Sequence, residues 1–434
     1  MKLGEHKKWL VLLLLMGGVA APLIVWGIIS VPQNTGEQNP FSHLFSNLEN
    51  RDSFSIHGNV ELDATCAGAG GDGLSWETAY VLENFLIDGN NATVPNRLGK
   101  GLFIVDTTRY LVIRNISVKN AHETGDGIFL WECDHVNITG CGFFNNQKGV
   151  MIDSCRNVTI EGCKFWGNSW YDISLVGVYS SRVSGNEMLG NGLETNFHIG
   201  WGNVTIDPTN TVNGKSILYY EGQQNLQLAG ISSAMVILFN CSDSIITNFT
   251  FSTKESGIHL ANCTNISIQG NHMVDTGQFP LELTYSRNCC LSNNVVQNSS
   301  GLSLYHANNT TIRENTIDRG VSDGISLVHS DGCNITGNSI TRCSAFAIDL
   351  VESGNAMITN NNFCSNNPGN ISENSDINLA NSTGGNTIYG NTEEDECASD
   401  GTNPPDVGVP GFPLPILLIC GSLGIIFIIK QKRR

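Results

Sequence analysis

A short motif, Gly-hydrophobic-x-Leu, recurs along the chain. Its x positions carry side chains suited to chemistry: His259, Glu282, Ser303, Ser326 and Asp349. Three residues beyond each stand Asn262, Tyr285, His306, His329 and Glu352. Stacked in space, the two series make a strip of carboxylates, imidazoles and one phenol. The residues expected to form a ligand-binding face are His259, Glu282, Tyr285, His306, His329 and Asp349. The candidate catalytic residues are Glu282, Asp349 and Glu352. Glycoside hydrolysis needs two carboxylates roughly 5–10 Å apart. Glu282 and Asp349 are three repeats apart, at least about 14 Å at strand spacing, too far to share one bond. Asp349 and Glu352 are closer, but no partner base accompanies them. Asp126 and Asp323 precede glycines at strand starts, where Asp bonds its own backbone in turns. Carboxylates at such places are also weak candidates for Ca²⁺.

The elements that position these residues follow from a second pattern, Ile-x-x-Asn-x-hydrophobic. Its Asn falls at 271, 294, 315, 338 and 361, at spacings of 23, 21, 23 and 23. Upstream the same place is Cys141, Cys163 and Asn186, at spacings of 22 and 23. The two patterns keep step, so each unit of about 22 residues is one structural rung. Alternation such as Ile258-His259-Leu260 marks a strand with one buried face. Asn, Gly, Ser and Thr between the strands supply turns. No long helical pattern intervenes, so βαβ units are excluded. Short strands turning the same way in every rung give a coil, with a rod on the order of 55 Å at strand spacing. The fold class is therefore all-β: a right-handed parallel β-helix, single-stranded, of about 12 coils. In such a stack the asparagines lie over one another and bond along the axis as an amide ladder.

The repeats resemble the parallel β-helix proteins of the NosD-like, carbohydrate-binding-and-sugar-hydrolysis group, over residues 54–395 or so. The segment GDGLSWETAYVLENFLIDG, Gly71 to Gly89, looks like that group's opening segment. IDPTNTVNGKSILYYEG, Ile206 to Gly222, resembles its mid-helix insertion and accounts for the skipped register between Asn186 and Phe249. The resemblance implies a face that holds a sugar chain. It leaves open a binding module, a polysaccharide hydrolase or lyase, and a copper-handling protein using His259, His306 and His329. A uronate lyase needs an Arg or Lys base beside Ca²⁺-binding acids, and Arg287, Arg313 and Arg342 fall elsewhere in the rung. Trp131, Trp166, Trp170, Tyr179 and Trp201 cluster in the N-terminal half, to stack on sugar rings or to pack on the rod.

The formal net charge is −17, and charged residues make up 15% of the chain. Seven basic residues sit at the two ends, Lys2, Lys7, Lys8, Lys430, Lys432, Arg433 and Arg434, so the body is more acidic still. Nucleic acid is excluded as a partner, because phosphate binding needs clustered Lys and Arg. Residues 1–8 read as a basic cytoplasmic segment and 9–30 as a signal anchor or membrane helix. Residues 31–60 follow as linker and N-terminal cap, 61–392 as the β-helix and 393–411 as an acidic Pro/Gly linker. A second membrane helix is expected at 412–429, then a basic cytoplasmic tail at 430–434. Pro410, Gly411 and Phe412 with this tail resemble archaeal C-terminal sorting signals. These features place the β-helix outside the cytoplasm, on a cell membrane, with polysaccharide or cell-surface proteins as partners. Of the 14 cysteines, most occupy stacked columns (Cys133 with Cys155, Cys141 with Cys163, Cys241 with Cys263), where Cys fills space as a small hydrophobe. Cys343 and Cys364 are the best candidates for a disulfide. Fifteen Asn-x-Ser/Thr sequons occur, Asn157, Asn203, Asn265 and Asn309 among them, many as part of the repeat itself.

Overall fold

The computed structural model describes residues 39–394, apart from 69, 90–100, 122–124, 190–196, 200–201, 253–254, 277–279 and 367–376. The expected membrane segments 9–30 and 412–429 lie outside the described residues, as do their basic flanks. Among the described residues no helix is long and apolar enough to cross a membrane.

Short parallel strands stack into a β-helix. In the C-terminal half each coil has three sides. One side runs through Met235–Phe239, Gly257–Ala261, Leu281–Thr284, Leu302–Tyr305, Ile325–Val328 and Ile348–Val351. A second 8-stranded sheet and a third 7-stranded sheet close the coil. Among the described residues of this half every pairing between coils is parallel, as in Ile325 opposite Ile348 and Ile317 opposite Ile340. The longest sheet stacks 15 strands, because it alone runs through both halves of the described chain. Complete coils are close in number to the dozen expected.

The hydrophobic positions of the repeat form the core. Ile325, Leu327, Ile348 and Leu350 are fully buried, each contributing about 1.5–3 kcal/mol. The motif glycine allows close stacking: a Cβ on Gly301 would stand 1.9 Å from the carbonyl oxygen of Gly324. Residues at the corners adopt left-handed backbone, as at Asn240, Asn262, Asn265, Asn288 and Asn309. Asn tolerates that conformation better than other side chains.

The amide ladder is present. Asn271, Asn294, Asn315, Asn338 and Asn361 are buried, and each Nδ2 donates to the Oδ1 of the next, at 2.9–3.0 Å. The N-terminal half runs a shorter version from Asn186 to Asn210.

The segment 206–222 changes the path of the chain. Thr211–Val212 and Lys215–Glu221 pair antiparallel across Asn213 and Gly214, both with positive φ. Asn-Gly is the favoured two-residue hairpin turn. Beyond this hairpin the same sheet continues, but its strands bury the opposite face. Met235 and Ile237 belong to the N-terminal core, whereas Val236 and Leu238 belong to the C-terminal one. The strand Met235–Phe239 is thus buried on both sides.

Strands Glu49–Arg51 and Phe54–His57 already pair with the stack. The α-helix Gly58–Thr65 buries Leu62 over its first end. Cys133, Cys155, Cys141, Cys163, Cys241 and Cys263 are buried free thiols. The expected Cys343–Cys364 bridge does not form. Cys343 is not disulfide-bonded, whereas Cys364 is. Phe346 and Ala347 already return the chain to the stack over Gly324, so Cys343 stays in the core wall. Trp166 packs with Phe41, Phe45 and Phe144, on the rod rather than toward a ligand.

Candidate functional site

Parallel register makes the x positions into a column. His259 lies opposite Glu282, Glu282 opposite Ser303, Ser303 opposite Ser326, Ser326 opposite Asp349, and Asp349 opposite Asn378. The next place down, Ile237, is covered by the N-terminal core, so the open column begins at His259. There His259 Nδ1 is 3.1 Å from a Glu282 carboxylate oxygen, with both side chains about one-eighth exposed. The ring's Nε2 faces the Ser256 carbonyl at 3.1 Å. Glu282 and Asp349 are three strands apart and do not meet.

The second series occupies one corner of the coil. Asn262, Tyr285, His306, His329 and Glu352 all hold φ between 47° and 53°. This repeated left-handed corner turns each side chain outward over its neighbour. The Tyr285 ring stacks on His306 at 4.8 Å and 8°, and His306 stacks on His329 at 4.7 Å and 9°. His329 Nδ1 stands 3.0 Å from Glu352. Tyr305 is edge-on to all three rings, with its hydroxyl 3.0 Å from His306 Nε2. The sequence reading missed Tyr305, although it follows Leu304 in the same repeat. Burial, and then the charge of His329, lower the pKa of His306. His306 will therefore titrate below an ordinary histidine, and His329→Gln will move it part of the way back. Imidazole proton shifts followed over a pH series check this; no upward movement in the variant would remove His329 as a cause.

The structure brings together two acids that the sequence held apart. Asp323 Oδ1 accepts the Phe346 backbone N–H at 2.9 Å. Burial, reinforced by the charge of Asp349, pushes the Asp323 carboxyl up to about 7. Asp349, itself raised by burial, accepts a hydrogen bond from Asn378 Nδ2 at 2.8 Å. A carboxyl pushed up to about 7, beside a second carboxyl also raised by burial, is an arrangement able to donate and accept protons.

Metal binding fits these residues poorly. Among the described residues no group of three or more His, Cys, Asp or Glu side chains could hold an ion. Asp126 has Lys148 Nζ at 3.8 Å instead. Copper would need imidazole nitrogens converging on one point. The His306 and His329 rings are nearly parallel, so their in-plane lone pairs cannot converge. His259 is two coils away, against Glu282. The three histidines do not form a copper centre.

Residues 83–226 and 208–394 match the family model described as periplasmic copper-binding protein (NosD). No curated protein matches the chain. Among solved structures it is similar to the periplasmic alginate epimerase AlgG, at 11% identity and TM-score 0.30, over 79% of this chain and 84% of that one. It is similar to the A-module of the Azotobacter vinelandii mannuronan C-5 epimerase AlgE4, at 14% and 0.28, over 80% and 90%. A mannuronic acid specific polysaccharide family 6 lyase from human gut microbiota matches at 10% and 0.29, over 81% and 89%. Likeness at this level carries no argument about activity.

Proposed function

We propose, from the premise that this chain belongs to the NosD family of parallel β-helix proteins, that it is a binding protein for extended polysaccharide. The ligand lies along the column from His259 to Asn378. One observation supports this most: polar side chains recur there on successive strands in strict register, every 4.8 Å or so. A linear chain of sugars meets such a row at many hydroxyls. The stacked rings of Tyr285, His306 and His329 border it. The β-helix would stand outside the cytoplasm on a cell membrane, held through residues 9–30 and 412–429, and surface proteins would be its other class of partner. The copper in the family's description finds no support in the three histidines.

The full-length protein, incubated with a panel of insoluble polysaccharides with and without Ca²⁺, tests this. Retention is expected, weakened about tenfold in the double variant Glu282→Gln, Asp349→Asn, with the protein still cooperatively folded. Retention indifferent to that double substitution, or no retention, would sink the reading. The Asp323–Asp349 pair supports a second reading, cleavage of the bound polysaccharide. Reducing ends or unsaturated uronates released by the parent and not by Asp323→Asn would establish it.

A further inference from the structure

We propose that the N-terminal half carries a second saccharide site, separate from the His259–Asn378 column, in a cleft between Trp76 and the corner running from Asn157 to Asn203. It takes a short neutral oligosaccharide. Trp76, Asn157, Thr159, Ser180, Arg182 and Thr205 are among the residues that line it. The cleft holds about 470 Å³, within the roughly 300–1,000 Å³ of small-ligand sites.

The floor is a register-aligned row. Thr159 lies opposite Arg182, and Arg182 opposite Thr205, so three polar side chains span two strand spacings, about 10 Å. Beside them Asn157 and Ser180 take the left-handed corner backbone. Amides and hydroxyls both donate and accept, which suits sugar hydroxyls.

The wall is Trp76, 42% exposed and held by a tightly tied loop. The Thr78 carbonyl accepts the backbone N–H groups of Asp72 and Gly73, at 3.0 and 2.9 Å. Asp72 Oδ1 accepts the Thr78 hydroxyl at 2.6 Å and the Leu74 N–H at 3.0 Å. The Gly73 carbonyl accepts the Tyr110 N–H at 2.9 Å, which ties the loop to the coil. Trp76 also stands edge-on to Tyr110, ring centroids 4.9 Å apart, and Tyr110 stacks on His135 at 4.2 Å. The loop is Gly71–Thr78, the first part of the opening segment, for which the column at His259 has no use. An indole set beforehand costs little entropy on binding. Its π face accepts C–H bonds polarised by neighbouring oxygens, as on the apolar face of a pyranose.

Charge selects a neutral ligand. Arg182, the one cation among the described lining residues, already meets Asp207 at 3.0 Å, so that pair is balanced. The chain's net charge of −17 repels polyuronates at longer range.

The test uses full-length protein from a host without N-glycosylation, because Asn157 and Asn203 stand in sequons. Titration calorimetry is run with trisaccharides of glucose, mannose and galactose, and with trigalacturonate. At least one neutral trisaccharide should bind more tightly than trigalacturonate. Trp76→Ala should weaken it at least tenfold, and Thr205→Phe, which fills the exposed floor, should do the same. The Glu282→Gln, Asp349→Asn double variant should leave it unchanged, whatever becomes of polysaccharide retention. No binding of any neutral trisaccharide, preference for trigalacturonate, or affinity indifferent to both cleft variants in folded protein would each overturn the proposal.

Discussion

Asn315→Leu will lower the unfolding free energy by roughly 2–6 kcal/mol, because two buried donors lose their acceptor at about 1–3 kcal/mol each. Asn315 Oδ1 accepts the backbone N–H of Asn294 at 2.9 Å and its Nδ2 at 3.0 Å. Asn315 Nδ2 donates to the Leu291 carbonyl at 3.0 Å and to Asn338 Oδ1 at 2.9 Å. Leucine fills similar space but strands the Asn294 N–H and half of the Asn294 amide, and takes one donor from the Leu291 carbonyl, all deep in the wall. Neighbouring coils cannot relax to rescue them, since each strand is bonded above and below. Against a domain stability of about 5–15 kcal/mol the loss is large. Urea unfolding of the full-length protein measures it, with Thr316→Ala as the control. Thr316 is exposed on the adjacent strand, so its change should stay within about 0.5 kcal/mol. A Leu variant within 1 kcal/mol or so of the parent would show that the ladder adds nothing net beyond the backbone bonds.

The ladder was legible because a coil repeats its geometry, so equivalent residues appear at nearly constant spacing. The column at His259 was legible for the same reason: period-2 alternation fixes which side chain points out, and the repeat fixes what lies beside it. The corner stack was half legible. Tyr285, His306 and His329 could be aligned, but their parallel rings follow from a shared left-handed backbone, which defeats the copper reading. The hairpin at Asn213-Gly214 carried a recognisable turn signal. That the sheet then buries its opposite face is a tertiary fact, and it is why Ile237 closes the column that His259 opens. Asp323 was read as a turn residue and Asp349 as part of the column, because 26 residues separate them in sequence. Only the coil sets them on neighbouring rungs. Cys343 and Cys364 failed as a pair for the converse reason, since matched spacing does not aim two Cβ vectors at each other. Trp76 lies outside the repeat, so no periodicity pointed to it.

Asp172→Asn will stabilise the protein at pH 8 and leave it almost unchanged at pH 4. Asp172 is buried inside the N-terminal half. Its Oδ1 accepts Asn168 Nδ2 at 2.7 Å, and its Oδ2 has no hydrogen-bond partner among the described residues. Burial pushes its carboxyl up to about 7, offset only in part by the Asn168 bond, from an ordinary 3.8. Between those two pH values the folded chain holds a proton that the unfolded chain has released. Stability therefore falls as pH rises from about 4 to about 7, then levels. Three pH units at about 1.4 kcal/mol each put the loss on the order of 4 kcal/mol. Asparagine keeps the shape and the Asn168 contact without the charge, so it recovers most of that loss at pH 8. Equal gains at pH 4 and pH 8 would assign the effect to packing rather than to a buried charge. Asp323 bears the same penalty, its carboxyl likewise pushed up to about 7, but it stands beside Asp349 on the candidate face. If that carboxyl serves the ligand, Asp323→Asn will gain stability and lose polysaccharide retention or turnover, whereas Asp172→Asn will gain stability alone. Stability given up at a functional site is a common trade, and the two variants together distinguish it from a buried acid that does no chemistry.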